Sequence, residues 1–175
     1  DGQSSRGLGD VYKRQPSGPD IGPGLTEAGE RLVKRCNELG ILIDLSHMNE
    51  AGFRDVARLS TAPLVATHSN AHAICPHARN LTDEQLRIIA DSDGMVGLNF
   101  ATAFLRPDGR MIPDVAFETM LRHLDHLIGI LGETRVGLGS DYDGAVMPEA
   151  LATATGLPAL RDAMRQHGYD DALQR

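Results

Sequence analysis

Residues 41–68 read ILIDLSHMNEAGFRDVARLSTAPLVATH, and their pattern decides the fold. The stretch Ile41-Leu42-Ile43-Asp44-Leu45-Ser46-His47 runs from apolar to polar, a helix-like stretch follows, and Leu64-Val65-Ala66-Thr67-His68 repeats the strand pattern. Strand, helix, strand is the signature of a parallel βαβ unit. Each predicted strand closes on a histidine, His47 and then His68. Neighbouring strands lie about 4.8 Å apart, so imidazoles at two adjacent C-terminal ends can grip one metal ion. That end of a β/α barrel is also where such enzymes keep their active sites. The pattern points to metal-dependent hydrolysis.

Working outward, strand and helix patterns alternate. A helix is predicted from about Glu27 to Leu39, with Leu32, Val33, Cys36 and Leu39 on one face and Gly40 ending it. Asn49 is placed to cap a second helix that buries Phe53 and Val56. Thr82-Asp83-Glu84-Gln85 has the form of a capping box, and the helix it opens directs Leu86 and Ile89 inward. A third strand spans Met95–Phe100, and a longer helix, about Asp114 to Leu131, carries an apolar stripe that includes Met120, Leu121, Leu124, Leu127, Ile128 and Leu131. A fourth strand, Val136–Ser140, delivers Asp141 at its end. Helices between strands imply parallel pairing through right-handed crossovers.

Four such units make an α/β chain that is either the C-terminal half of a (β/α)8 barrel or a four-strand doubly wound sheet. Polar residues recurring at three strand ends (His47, His68 and Asp141) favour the half-barrel. Gly137-Leu138-Gly139 lies within a strand and lacks the third glycine of a phosphate loop, so it reads as close packing. The final residues, Asp170–Arg175, read as a helix stopped in mid-course without a cap.

The first fifteen residues, DGQSSRGLGDVYKRQ, are polar and aperiodic and lead into Pro16-Ser17-Gly18-Pro19. Asp10–Gln15 matches one reading frame of a transposase adapter used in sequencing-library preparation. Residues 1–15 are therefore expected to be an artefact and 16–175 a partial barrel domain with its frame truncated upstream; a flexible natural N-terminus is the alternative. A chain of 175 residues with 41% hydrophobic content can bury a real core, and no apolar run reaches the ~20 residues that span a bilayer. A net charge of −7 with no basic stripe argues against a nucleic-acid partner. Cys36 and Cys75 are too few for a disulfide framework.

Each candidate has a plainer reading. His47 and His68 could be ordinary strand-end residues, but their matched positions on adjacent strands favour metal ligation, with zinc the preferred ion. Asp44 could accept a hydrogen bond from one of the rings, although its register leaves that open. Arg79, in the loop Ser69–Asn80, could hold a substrate carboxylate by two parallel hydrogen bonds or form a surface salt bridge. His72 and His77 share that loop and read as supporting or surface groups. Asp141 can move a proton between water and a leaving amine. Asp143 reads as a turn residue before Gly144, and His123 and His126 as helix-surface residues.

Together, Gly24-Leu25-Thr26-Glu27, Ile43–His47, His68-Ser69-Asn70-Ala71 with Cys75-Pro76 and Arg79-Asn80, and Gly139–Gly144 resemble the membrane (renal) dipeptidase family, in order and from Leu25 to Arg175. The resemblance implies a (β/α)8 barrel holding two zinc ions that hydrolyses dipeptides through a metal-activated water. By position it makes His47 and His68 ligands of one zinc, Arg79 the group that binds the dipeptide carboxylate, and Asp141 the proton-transfer residue. It is also compatible with a homodimer. The family's His-x-Asp pair and metal-bridging glutamate come from upstream and have no counterpart here; residues 1–24 contain no histidine. The expectation is a metallodipeptidase fragment, inactive alone. A non-catalytic metal-binding remnant is the second reading. A barrel hydrolase of lactones or cyclic amides is the third, disfavoured because Arg79 calls for a free carboxylate.

Overall fold

A computed structural model describes residues 22–174; the predicted artefact at 1–15 lies outside them. The helices form where local signals place them. Helix α1 spans Glu27–Leu39, with the Thr26 hydroxyl accepting the Gly29 N–H at its start and Gly40 ending it at φ 66°. Helix α2 spans Glu50–Leu59, and the Asn49 side chain accepts the Gly52 N–H. Helix α3, Asp83–Asp91, opens on a complete capping box in which Thr82 and Gln85 satisfy each other's backbone N–H. These bonds quench N–H groups that the first helical turn leaves without partners.

Strand β1 (Val65–Ala66), β2 (Met95–Leu98) and β3 (Val136–Leu138) form a parallel sheet in the order β1-β2-β3. Val65 pairs with Met95, and Val96, Gly97 and Leu98 pair with Val136, Gly137 and Leu138. Strand order follows chain order without reversal, whereas a doubly wound sheet reverses direction at a switch point. The close approach predicted for the glycines holds for one of the two. A Cβ on Gly139 would fall 1.8 Å from the Thr67 carbonyl oxygen, but one on Gly137 would meet only the Met95 methyl, at 3.4 Å.

The predicted strand over 41–47 needs correction. It contributes a single parallel bridge, Asp44 to Val65, with the Leu45 N–H donating to the Val65 carbonyl at 2.8 Å. Ile41 and Leu42 are more than half exposed, at 53% and 60%. They have apolar strand character but, among the described residues, no neighbour on their outer side to complete a ladder. The other strands are shorter than predicted by two or three residues.

The core lies between sheet and helices. Val33, Phe53, Val56, Leu86 and Ile89 from α1–α3 and Val96 and Leu98 from β2 are at most 1% exposed. Leu32 and Leu39, predicted to share the Val33 face, are instead half exposed, because α1 turns only a narrow stripe inward. Helix α5 spans Phe117–Leu131 and buries Met120, Leu124 and Leu127 as predicted. A short helix α4 (Thr102–Leu105) and a C-terminal helix α6 (Leu157–His167) were not anticipated. Beyond α6 the chain forms one turn, whose opening N–H groups, on Ala172 and Leu173, donate to the Asp170 carboxylate.

Candidate metal centre

The strand ends bring the predicted residues together at one rim. His47 and His68 face each other with Nε2 atoms 3.0 Å apart and ring planes tilted by 57°. Two nitrogens bound to one tetrahedral zinc at its usual bond length sit about 3.3 Å apart, so the pair has nearly the spacing of two ligands of one ion. Among the described residues, no group of three or more His, Cys, Asp or Glu side chains converges on such a point. The pair fits a zinc ion as part of a ligand set, not as a whole one.

Asp44 settles which nitrogen of His68 is available. Its carboxylate accepts the N–H groups of Ser46 and Thr67 at 2.9 Å and also the Thr67 hydroxyl hydrogen. The Thr67 oxygen lies 2.7 Å from His68 Nδ1. A carboxylate only accepts, so the hydroxyl proton points to Asp44 and the Thr67 oxygen must accept from Nδ1–H. The lone pair of His68 then sits on Nε2, aimed at His47. Burial raises the Asp44 pKa, but the bonds from Thr67 and Ser46 outweigh it and hold the carboxyl below its ordinary value. Burial and the nearby Arg79 charge push both imidazoles down, His47 to about 4, so both are neutral at pH 7. Neutral imidazole is the form that binds metal.

Three backbone outliers, His47, Asp141 and Asp143, mark the same rim, and a fourth, Asp93, lies away from it. His47 adopts φ 71° and Asp141 φ 61°, both left-handed. Such conformations are uncommon in residues other than glycine and collect at functional sites. Asp141 follows β3, and its Oδ2 accepts a hydrogen bond from Asn99 Nδ2 at 3.1 Å. Gly144 makes room for it, since a Cβ there would come within 2.4 Å of Asp141 Oδ1.

Arg79 is 3% exposed, so the surface salt-bridge reading is excluded. Its guanidinium donates to the His68 carbonyl at 3.3 Å and lies over the Phe104 ring, 5.2 Å from the centroid. His77 braces it: Nδ1 accepts the Arg79 backbone N–H at 3.1 Å, and the ring stands 4.8 Å from that of Phe104. Cys75 is buried against the Ala103 carbonyl, and burial pushes its thiol up to about 11.

Sequence reading misplaced His123. It is fully buried rather than on the helix surface. Nδ1 accepts the Ala71 N–H at 3.2 Å and Nε2 lies 3.0 Å from the Leu105 carbonyl, so the ring ties the loop after β1 and α4 to α5. Its place was legible: three residues after Met120 and four before Leu127, it falls on their stripe. His126 does stay on the outer side, 2.8 Å from Asp83. Asn99 was also missed, although it is the first residue past β2 and the one polar residue in the predicted strand Met95–Phe100.

Residues 10–174 match the model of the membrane dipeptidase family, peptidase family M19. The chain belongs to this family. A Klebsiella pneumoniae protein of the pqqA 5′ region is 57% identical over 158 residues, which are 90% of this chain and 58% of that protein. The crystal structure of a metallopeptidase from Rhodobacter sphaeroides, liganded with a phosphinate mimic of the dipeptide L-Ala-D-Ala, is 63% identical and superposes with a TM-score of 0.88 over 94% of this chain and 46% of that one. PvdM of Pseudomonas aeruginosa shares the fold at 24% identity and a TM-score of 0.81, over 90% of this chain and 52% of that one. The M19 chain described here thus spans about half the length of these relatives. Its α/β fold and its kinship to metal-dependent dipeptidases are established. Among the described residues no helix is long and apolar enough to cross a membrane.

Proposed function

We propose that this chain carries the C-terminal half, strands five to eight, of the (β/α)8 barrel of a zinc-dependent dipeptidase. Sequential parallel strand order with polar residues at the C-terminal ends supports the half-barrel. The observation that carries the function is the convergence of the His47 and His68 Nε2 atoms, with the tautomer of His68 fixed through Thr67 and Asp44. His68 presents its lone pair at Nε2, and His47, 3.0 Å away, would present one to the same point as the Nδ1–H tautomer.

His47 and His68 would hold one zinc of a pair whose remaining ligands come from residues other than those described. When bound, the metal supplies activation of the attacking water and polarisation of the scissile carbonyl. The chain's own residues do the rest. Arg79, buried and charged beside the histidines, fixes the dipeptide's terminal carboxylate and with it the distance to the scissile bond. Asp141, at the same rim, takes a proton from the attacking water and hands it to the departing amine. The relative that binds a mimic of L-Ala-D-Ala makes dipeptides with a D-configured C-terminal residue the first substrates to try.

The lack of any three-ligand cluster among the described residues favours a second reading, a non-catalytic metal-binding piece. One experiment separates the two. The 175-residue chain and a full-length protein containing it are each titrated with zinc and assayed on L-Ala-D-Ala. Tight binding of two ions with turnover in the full-length protein alone supports the dipeptidase half. Tight binding of two ions and turnover by the 175-residue chain would overturn the fragment reading, and no turnover by either would favour the non-catalytic one.

A further inference from the structure

Asp141 does not stand alone at the end of β3. We infer that Asn99, clamped by Asn70, is a positioning residue for the Asp141 carboxylate. The inference rests on the proton-transfer role proposed above.

Asn99 and Asn70 are both fully buried. They form a closed bracket: the Asn99 N–H donates to Asn70 Oδ1 at 2.8 Å, and Asn70 Nδ2 donates back to the Asn99 carbonyl at 2.9 Å. The Asn99 side chain is then oriented by a third bond, its Oδ1 accepting the Ala101 N–H at 2.6 Å. With Oδ1 committed to a donor, Nδ2 must face the opposite way. Its hydrogens reach Asp141 Oδ2 at 3.1 Å and the His68 carbonyl at 3.4 Å. Both donors and the acceptor of the amide are used, so it has one orientation.

Consequences for Asp141 follow from that orientation. Its backbone sits in the left-handed region, φ 61°, so the local chain does not by itself favour this placement. A fixed donor on Oδ2 orients the carboxylate and leaves Oδ1, above Gly144, as the atom that takes and releases the proton. Asn99 also touches the His68 carbonyl, which the Arg79 guanidinium shares. One buried amide thus sets the proton-transfer group relative to the carboxylate anchor.

The test uses the zinc-loaded full-length protein, its Asn99→Leu variant, and the same change in an Asp141→Asn background. The expected result is a kcat loss of about 10- to 100-fold for Asn99→Leu, the range for removing the support of an active-site group, with KM within about 2-fold and zinc content unchanged. In the Asp141→Asn background the same change should cost almost nothing further, because coupled residues do not add. Crystal structures should show the Asp141 carboxylate turned away or disordered in Asn99→Leu. An equal kcat loss in both backgrounds, or an Asp141 carboxylate unmoved without Asn99, would overturn the inference. Asn99→Asp keeps the shape and the acceptor for Ala101 while losing the donor; it reads the same quantities if the leucine variant fails to fold. If the parent protein hydrolyses no dipeptide, the dipeptidase reading has failed, and the crystallographic comparison alone decides the bracket.

Discussion

His68 at the rim of the sheet and His123 inside α5 are both held neutral by burial, yet they do opposite things. His123 spends both ring nitrogens on the backbone, one on the Ala71 N–H and one on the Leu105 carbonyl. His68 spends only Nδ1, through Thr67 on Asp44, and leaves Nε2 directed at His47. A depressed pKa therefore does not mark a functional histidine by itself. What sets His68 apart is a nitrogen left over after its bond to Thr67.

The largest effect expected from that contrast is at the rim. In the full-length protein, His68→Ala or His47→Ala should lower zinc affinity by more than the roughly 100-fold that loss of a supporting partner costs, and dipeptide turnover should vanish with it. Metal analysis after dialysis measures this, and full retention of two zinc ions in both variants would break the contrast. Thr67→Val comes next. It removes the bridge between Asp44 and His68 while keeping the side-chain shape, and should weaken zinc binding by about 10- to 100-fold, with Thr67→Ser restoring it. An unchanged affinity would mean that the bridge does not orient the ring.

At His123 the loss should fall on stability instead. His123→Leu leaves the Ala71 N–H and the Leu105 carbonyl buried without their partner, at a cost of about 2 kcal/mol, read from urea unfolding. The same histidine gives a pH signature. Burial first, with smaller effects from the charges on Arg122 and His126, holds it down to about 4 from an ordinary 6.5. Between those values the unfolded chain binds a proton that the folded chain refuses, so stability declines as pH falls from 6.5 towards 4. His123→Leu should flatten part of that decline; an equally steep profile would show that other groups dominate. The smallest effect concerns Cys75. With its thiol raised to about 11 and buried, it should resist iodoacetamide at pH 8 until the protein unfolds.

Local signals made much of the fold legible. Thr26, Asn49 and the Thr82–Gln85 box mark helix starts within a few residues of themselves, and each cap bond formed. The segment 41–47 was over-read because alternation and apolarity record what a strand wants, not whether a neighbour supplies the other half of the ladder. Helix α6 was passed over: its first turn has no side-chain cap, and Pro158 stands where a helix start is one of several meanings of proline. That the two histidines and Asp141 would meet at one rim was legible from their place at predicted strand ends. Asn99, one residue past β2, was absorbed into an apolar run, and Asp44 carried a role that only the register with Thr67 could reveal. His123 shows the converse error, in which residue type was weighed above spacing.

The left-handed backbone at His47 has a consequence for the history of such a chain. A non-glycine residue held there costs roughly 1–2 kcal/mol relative to an ordinary conformation, and glycine would relieve it. Folding alone would then favour losing the ligand. On the dipeptidase reading proposed above, selection for metal binding keeps the imidazole in place, so in a lineage freed from that selection His47 should be among the first rim residues to drift, and the protein that drifts should become harder to melt.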